Sequence, residues 1–577
     1  MTSHDVGNVV RSILATVALV LLLTSDFGTR FFAVGIVLWL VGSLWTSYRV
    51  AFKKGRLFRG VRIGTYTVAR LLLGAGVLAV MAHDSAQFTT TMWIGAGASV
   101  MLTSVEGVIR RARMYPGIRV ANLPNTIVRP PSEVTSSVYL VSALLTPFLL
   151  MCFAFLAVSD SRTAILGAFW ILPVAISGVA GLLLIQEAWS RRNHSRKIYE
   201  ELPARVEELA PKFVFYWDAP RGTAYQVGMW VPYLKRIGEP FFIMVRNPNT
   251  FAQAASVSED VPVILARTMA DMDRLVPESL TTAFYSNNGA KNAHFVRYAH
   301  LTHVQLLHGD SDKASSYNPI TAMFDRIYVA GQAGIDRYYN NGVDIPLEKF
   351  RIVGRPQVEE IMPGTEPIGE KPNPVVLYAP TWRGAYSDAS YSSLPIAEDL
   401  FDELLKLGCS VIFRPHPYCM KDPEYRAVIA ALHAKLEEHA QQTGTNHIYG
   451  EEAEKIMSVT DCFNACDVMI SDVSSVVVDF LYSEKPFGLV SMGKDAQEFV
   501  AEFPLAEVSY VLTEDRSGWA DQLDSLLRSD PMADQRRSMR VHYLGGFPSE
   551  NYAEGFVDVA RRQVHTREKK VSSYPAQ

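Results

Sequence analysis

Cysteine is scarce. Five occur in 577 residues, Cys152, Cys409, Cys419, Cys462 and Cys466, too few for a disulfide framework. Cys462 and Cys466 sit four apart with no second pair, so two packed thiols are favoured over a zinc site. Neither a G-x-G-x-x-G turn nor a P-loop lysine motif occurs, so dinucleotide redox chemistry and ATP hydrolysis lose support. No G-x-S-x-G elbow points to an esterase, and no carboxylate cluster points to a di-metal site. Only 20% of residues are charged, and the net charge is −4. That near balance hides an asymmetry: residues 1–200 hold 19 basic and 8 acidic side chains, and the remainder 36 and 51. A basic, apolar front and an acidic back argue against a simple soluble enzyme. The basic residues lie between apolar runs rather than in an open stripe, so nucleic acid is not expected as a partner.

Six apolar stretches fill the front, near Val9–Thr24, Phe31–Tyr48, Ile63–Ala82, Phe88–Val105, Ser136–Val158 and Thr163–Gln186. A transmembrane helix needs about 20 residues, so residues 1–200 are expected to form a six-helix transmembrane region. The first stretch resembles a signal peptide but lacks a convincing small-residue cleavage site. Arg49 to Arg62, Arg110 to Arg129 and Arg191 to Lys197 load alternate loops with positive charge. The positive-inside rule then puts both termini and everything after residue 200 in the cytoplasm of a multi-pass plasma (inner) membrane protein. Arg70 is the one ionisable residue well inside a span, which gives a transporter little to work with.

From about Pro211 short apolar runs alternate with amphipathic stretches. Phe213–Trp217, Phe241–Val245, Val261–Leu265, Thr282–Tyr285, His303–Leu307 and Arg326–Val329 read as one series of strands, with Ala224–Ile237 as a helix. Val375–Tyr378, Cys409–Phe413, Asp467–Ile470 and Pro486–Val490 read as a second series. Strands alternating with helices imply parallel sheets. The expected α/β part is two facing Rossmann-like domains, 201–362 on the acceptor side and 363–577 on the nucleotide side with a C-terminal helix, hinged at Pro363–Pro374.

Ligands of parallel α/β sheets bind off the carboxyl ends of strands. Four strand ends carry suitable chemistry. His308-Gly309 is followed by Lys313; an imidazole can take a proton near neutrality, although a strand-end histidine bonded to a carbonyl is equally ordinary. Thr381-Trp382-Arg383 puts a hydroxyl and a guanidinium fork after a strand, as an anion site requires. Arg414-Pro415-His416-Pro417-Tyr418 braces an imidazole between two prolines, which suits either a rigidly aimed ring or a structural turn. Ser471-Asp472-Val473-Ser474-Ser475, with Asp479 beyond, opens a helix whose first N–H groups can face phosphate. Together these favour moving or binding a diphosphate-linked group.

The soluble part resembles the CDP-glycerol glycerophosphotransferases, the teichoic-acid polymerases and primases of bacterial envelopes. The resemblance rests on Ser286-Asn287-Asn288-Gly289 with Lys291-Asn292, His308-Gly309 with Lys313, Ala379-Pro380-Thr381-Trp382-Arg383, Arg414-Pro415-His416-Pro417-Tyr418, and Ser471-Asp472-Val473-Ser474-Ser475 with Asp479, in the family's order. It implies a GT-B-like fold and transfer of glycerol phosphate from a CDP-linked alditol to a lipid-linked or glycan acceptor, with release of CMP. It also implies that His308 and His416 are the essential histidines and that Ser474, Ser475 and Asp479 meet the nucleotide diphosphate. Gly309, Lys313, Thr381, Arg383 and Arg414 complete the expected substrate-binding set. His308 is expected as general base and His416 as donor to the transferred phosphate or departing CMP. No cofactor and no tightly bound metal are expected, with at most a loosely held Mg²⁺. The family usually reads His-Gly-Thr-Pro-Leu-Lys where this chain has His308-Gly309-Asp310-Ser311-Asp312-Lys313; two acids beside the base raise its basicity, or mark another donor or acceptor. Competing classes are a GT-B glycosyltransferase using a sugar nucleotide, and a membrane transporter with a regulatory nucleotide-binding domain.

Overall fold

The computed structural model describes residues 67–83, 89–113, 120–123, 171–309, 314–383 and 391–566, with a few positions between 10 and 35. The chain divides into two compact units, Met1–Arg119 with Pro124–Leu202, and Val120–Leu123 with Pro203–Gln577.

In the first unit, helices α1 (Thr67–His83) and α2 (Thr90–Arg113) pack against each other, and α3 (Ile171–Leu209) runs on into the second unit. Among the described residues no helix is long and apolar enough to cross a membrane. The reasons are local. The sequence of α2 turns polar at Glu106, Arg110, Arg111 and Arg113, and its buried Ser99 and Thr103 hydroxyls donate back to Gly95 and Ser99 carbonyls. α3 is apolar only as far as Ile185; beyond it the helix carries the i,i+4 pairs Arg191–Glu187 and Arg196–Glu200. The expected six-helix transmembrane bundle is therefore corrected. The multi-pass membrane location and the topology derived from it fall with it. The stretch expected at Phe31–Tyr48 lies almost wholly outside the described residues, and Ser136–Val158 lies wholly outside them.

The second unit holds two sheets. The first has the order β1-β4-β3-β2-β5-β6-β7-β8, built from β1 (Val120–Ala121), β2 (Phe213–Trp217), β3 (Phe241–Val245), β4 (Val263–Leu265), β5 (Thr282–Tyr285), β6 (Thr302–Gln305), β7 (Arg326–Val329) and β8 (Phe350–Ile352). All pairings are parallel except β1 with β4, where Val120 faces Ile264. The second sheet is parallel throughout, in the order β10-β9-β11-β12-β13: β9 (Val375–Ala379), β10 (Ser410–Phe413), β11 (Val468–Ser471), β12 (Phe487–Ser491) and β13 (Tyr510–Thr513). β2 and β3 are buried at every residue, so they read as unbroken apolar runs rather than alternating ones, as strands covered on both faces do.

Several local readings change. Residues 224–237 form two short helices, Tyr225–Gly228 and Val231–Arg236, because Pro232 at the start of the second lacks the N–H that a continuous helix needs. β1, β8 and β13 were not among the expected strands; each is short, and β8 is exposed at two of its three residues, which hides its apolar signal. The stretch expected as a hinge is anchored: Gly364 N–H donates to Ser483 O at 2.8 Å, and Ile368 is buried in the second core. The last helix (Glu554–His565) packs on the first sheet, where the Phe556 ring lies tilted at 5.0 Å from Trp230 and Thr281 donates to Val564 O at 2.6 Å.

Candidate functional site

The carboxyl-terminal loops of the two sheets meet. A Cβ on Gly309, after β6, would lie 3.6 Å from Ser475 Cβ, after β11. A Cβ on Gly222, after β2, would lie 3.9 Å from the Tyr418 hydroxyl, after β10. Arg355, just past β8, forms a two-pronged ion pair with Asp479 on the helix α4 (Ser475–Phe480), its Nη2 at 3.0 Å from Oδ2. Arg355 is 8% exposed, so this is a buried bridge between the two sheets' loops. Breaking one partner of such a pair costs about 3–5 kcal/mol.

His308 stands on the first side of this junction. Its Nδ1 lies 2.7 Å from the carbonyl oxygen of Ser286. A carbonyl only accepts, so Nδ1 carries the hydrogen and the neutral ring keeps its lone pair on Nε2. Burial, chiefly, pushes the imidazole below its ordinary value of 6.5; the Ser286 bond opposes that, and the Arg355 charge adds to it. Tyr225 meets the ring edge-on at 6.2 Å between centroids. The strand ends earlier than the sequence suggests, at Gln305, because Leu307 turns into the left-handed region with φ of 58°.

His416 stands on the second side, exposed, at the start of the 3₁₀ turn Pro417–Lys421. Its own N–H donates to Pro380 O at 3.0 Å, and its Nδ1 accepts the Tyr418 N–H at 3.1 Å. That bond demands a lone pair on Nδ1, so the neutral ring carries its hydrogen on Nε2. The Tyr418 ring packs edge-on to the imidazole at 5.3 Å and has Lys421 Nζ 3.2 Å from its centroid. Gly222 faces the Tyr418 hydroxyl and Tyr225 faces His308, so the segment from Gly222 to Tyr225 lies beside His308 and beside the tyrosine that packs on His416.

The remaining expected residues divide. Gly309 and Ser475 meet at the junction; Ser474, next to it, starts α4 in extended backbone, with no side-chain bond to the helix N–H groups. Thr381 is buried, and its N–H donates to Asp472 Oδ2 at 2.6 Å. Asp479 is engaged by Arg355, so it is not placed as an open acceptor for sugar hydroxyls. Arg383 is exposed and paired with Glu424 at 2.7 Å and Asp422 at 3.5 Å, with its guanidinium 4.6 Å over the Tyr425 ring. Bonds to Tyr425 and Glu424 raise its already high pKa. The fork that was expected to face a phosphate is thus turned to the helix Pro423–Thr443. Arg414 points into the fold, donating to Ala453 O and, at 2.8 Å, to Met457 O. It braces the 452–456 turn rather than a ligand. Lys313, with Asp310 and Asp312, lies outside the described residues.

Two contributors escaped the sequence reading. Arg355 follows a strand that was not recognised, yet Gly354-Arg355-Pro356 repeats the Arg-Pro step of Arg414-Pro415 and could have flagged it. Asp472 is fully buried and also accepts the Ser393 N–H at 3.2 Å, tying the loops after β9 and β11 together. Its quoted motif drew attention to the serines instead.

Residues 357–502 match the family model of the CDP-glycerol:poly(glycerophosphate) glycerophosphotransferases. The match covers most of the second sheet and well under half of the chain. No curated protein matches. Among solved structures, the wall teichoic acid polymerase TagF is similar at 13% identity, covering 65% of this chain and 94% of that one, with a TM-score of 0.38. The Anabaena Alr3699/HepE in complex with UDP and glucose is similar at 11% identity over 61% and 99%, with a TM-score of 0.35. A Rickettsia africae glycosyltransferase is similar at 10% identity over 62% and 99%, with a TM-score of 0.41. At these values no conclusion rests on the structural likenesses. The family-model match supports a transferase.

Proposed function

We propose that the protein transfers glycerol phosphate, or a related alditol phosphate, from a CDP-linked donor to a hydroxyl acceptor, a lipid-linked or glycan chain, with release of CMP. The observation that carries this reading is the opposite tautomer of the two histidines at one junction. His308 presents a lone pair on Nε2; His416 presents a hydrogen on Nε2. Phosphoryl transfer needs little covalent help from protein, and depends on positioning and on neutralising charge. A base on the acceptor side and a donor on the phosphate side are what remain to be supplied. In the step, the acceptor oxygen forms a bond to the donor's alditol-bearing phosphorus as the bond from that phosphorus to the CMP oxygen breaks. The acceptor proton passes to His308 Nε2, and the leaving CMP oxygen takes up charge that the His416 Nε2–H can meet. Ser474, Ser475 and the first N–H groups of α4 are assigned to the diphosphate. The family-model match over 357–502 supports the donor class for this half.

A glycosyltransferase using a sugar nucleotide would leave a nucleoside diphosphate instead of CMP. The test is to offer the full-length protein a panel of labelled CDP- and UDP-linked donors with a membrane extract as acceptor source. CMP release from CDP-glycerol or CDP-ribitol is expected. Release of a nucleoside diphosphate, with no CMP from any CDP-alditol, would overturn the reading.

A further inference from the structure

We propose that Gln305, with Trp230, is a positioning residue that fixes the direction and tautomer of His308; the catalytic meaning of this rests on the function proposed above. Gln305 ends β6 and is fully buried. Its side-chain amide makes three bonds. Oε1 accepts the Leu307 N–H at 3.1 Å, and Nε2 donates to Asn287 O at 2.8 Å and to Asn288 Oδ1 at 2.9 Å. The two backbone partners settle which end is oxygen, since an N–H can only donate and a carbonyl can only accept.

These bonds bear on the two residues that define the imidazole. Leu307, immediately before His308, has the left-handed backbone, φ of 58°, that a residue with a Cβ adopts only at a cost. Its peptide groups are held on both sides: the N–H by Gln305, the carbonyl by the Trp230 indole N–H at 2.7 Å. Asn287, immediately after Ser286, has its carbonyl held by Gln305 and by Asn292 Nδ2 at 2.6 Å. Gln305 therefore spans from the residue before the histidine to the residue after the carbonyl on which the histidine's Nδ1–H rests. Losing this buried amide leaves the Asn287 carbonyl with the Asn292 donor alone and takes the Gln305 partner from the Leu307 N–H. Remove it, and Leu307 relaxes toward ordinary backbone, the Ser286 carbonyl is no longer held opposite Nδ1, and Nε2 loses its aim.

The test uses the full-length protein carrying Gln305→Leu or Trp230→Phe. The second keeps an aromatic ring in place and removes the indole donor with a modest loss of buried volume, so it serves if the first does not fold. The first readout needs no activity: acylation of His308 by diethyl pyrocarbonate, resolved by peptide mapping, as a function of pH. The groups facing the ring are the Ser286 carbonyl, the Tyr225 ring and the Arg355 charge; neither substitution replaces any of them, and relief of burial, the largest of the causes, outweighs loss of the Ser286 bond. In the parent protein the midpoint should lie below 6.5; in Gln305→Leu it should rise toward that value as the cage opens. The second readout is turnover with CDP-glycerol. Misaiming a base by about 1 Å costs up to about 100-fold, so kcat should fall about 10- to 100-fold with the donor KM little changed, and Trp230→Phe should show a smaller loss in the same sense. A moved acylation midpoint in a protein that releases no CMP from any donor supports the positioning role and removes the proposed function. Folded variants with an unmoved midpoint overturn the positioning role, even where stability drops.

Discussion

The two histidines are held by opposite strategies. His308 is half-buried, rests its Nδ1–H on a carbonyl, and follows a residue in strained backbone clamped by two side chains. His416 is exposed, accepts a backbone N–H two residues on, and takes its direction from flanking prolines. A buried ring needs a network of partners to define it, because in a dry setting each unmade bond is costly. An exposed ring can be aimed by covalent restriction alone. The difference teaches that the first imidazole depends on side chains distant in sequence, whereas the second leans on its flanking prolines and on backbone bonds with Tyr418 and Pro380.

The sharpest way to break that comparison is His308→Ala. General base catalysis contributes about 10²–10⁴-fold, so turnover should fall by that much while donor binding persists; near-normal steady-state turnover would remove the base assignment. Next is Arg355→Ala, which strands Asp479 at the junction and should lower stability by about 3–5 kcal/mol in urea titration. Combining it with Asp479→Leu should recover much of that loss, and no recovery would show that the pair is not the source. Smaller is the pair Ser474→Ala with Ser475→Ala. If those hydroxyls meet a charged diphosphate, removing them costs about 1.5–3 kcal/mol of donor affinity by calorimetry, with acceptor binding little changed.

Acid should separate buried from exposed imidazoles. His447 accepts the Val411 N–H at 3.0 Å, and burial first, with His439 second, lowers its pKa to about 4. A folded value below the unfolded 6.5 means that the unfolded chain binds more protons between the two. The contribution of His447 is thus fully present above 6.5 and is lost as pH falls toward 4. His308, also depressed by burial, acts in the same sense. Stability followed from pH 7 to pH 4 should fall, and His447→Asn should flatten that slope; an equal slope would show that other groups carry it. The smallest effect is expected from Arg383→Ala, whose guanidinium is already paired with Glu424 and Asp422. Donor affinity should hardly change, and a large loss would restore this arginine to the diphosphate.

Strands were legible where the chain is buried on both faces, since an unbroken run such as Phe241–Val245 has one reading. β8 and β1 were not, because short edge strands carry few apolar residues. Apolar length misled in the front of the chain. Ile171–Ile185 looks like part of a span, yet its helix continues into charged turns as far as Leu209, and periodicity says nothing of where a helix stops being apolar enough. Among the site residues, type was legible and partner was not. Arg383, Arg414 and Asp479 were all recognised as charged groups behind strands, and each proved to be engaged by a protein partner.

The sequence by itself determined the parallel α/β alternation after residue 210 and the placing of His308 and His416 in loops that follow strands, because both follow from local covalent chemistry and hydrophobic runs. Tertiary structure alone decided that Gly309 meets Ser475, that Arg355 occupies Asp479, that the last helix returns to the first sheet, and which nitrogen of each histidine bears the proton. Those outcomes depend on hydrogen bonds and ion pairs between residues as much as 283 positions apart, and no pattern within a window of sequence encodes which partner a buried polar group will find.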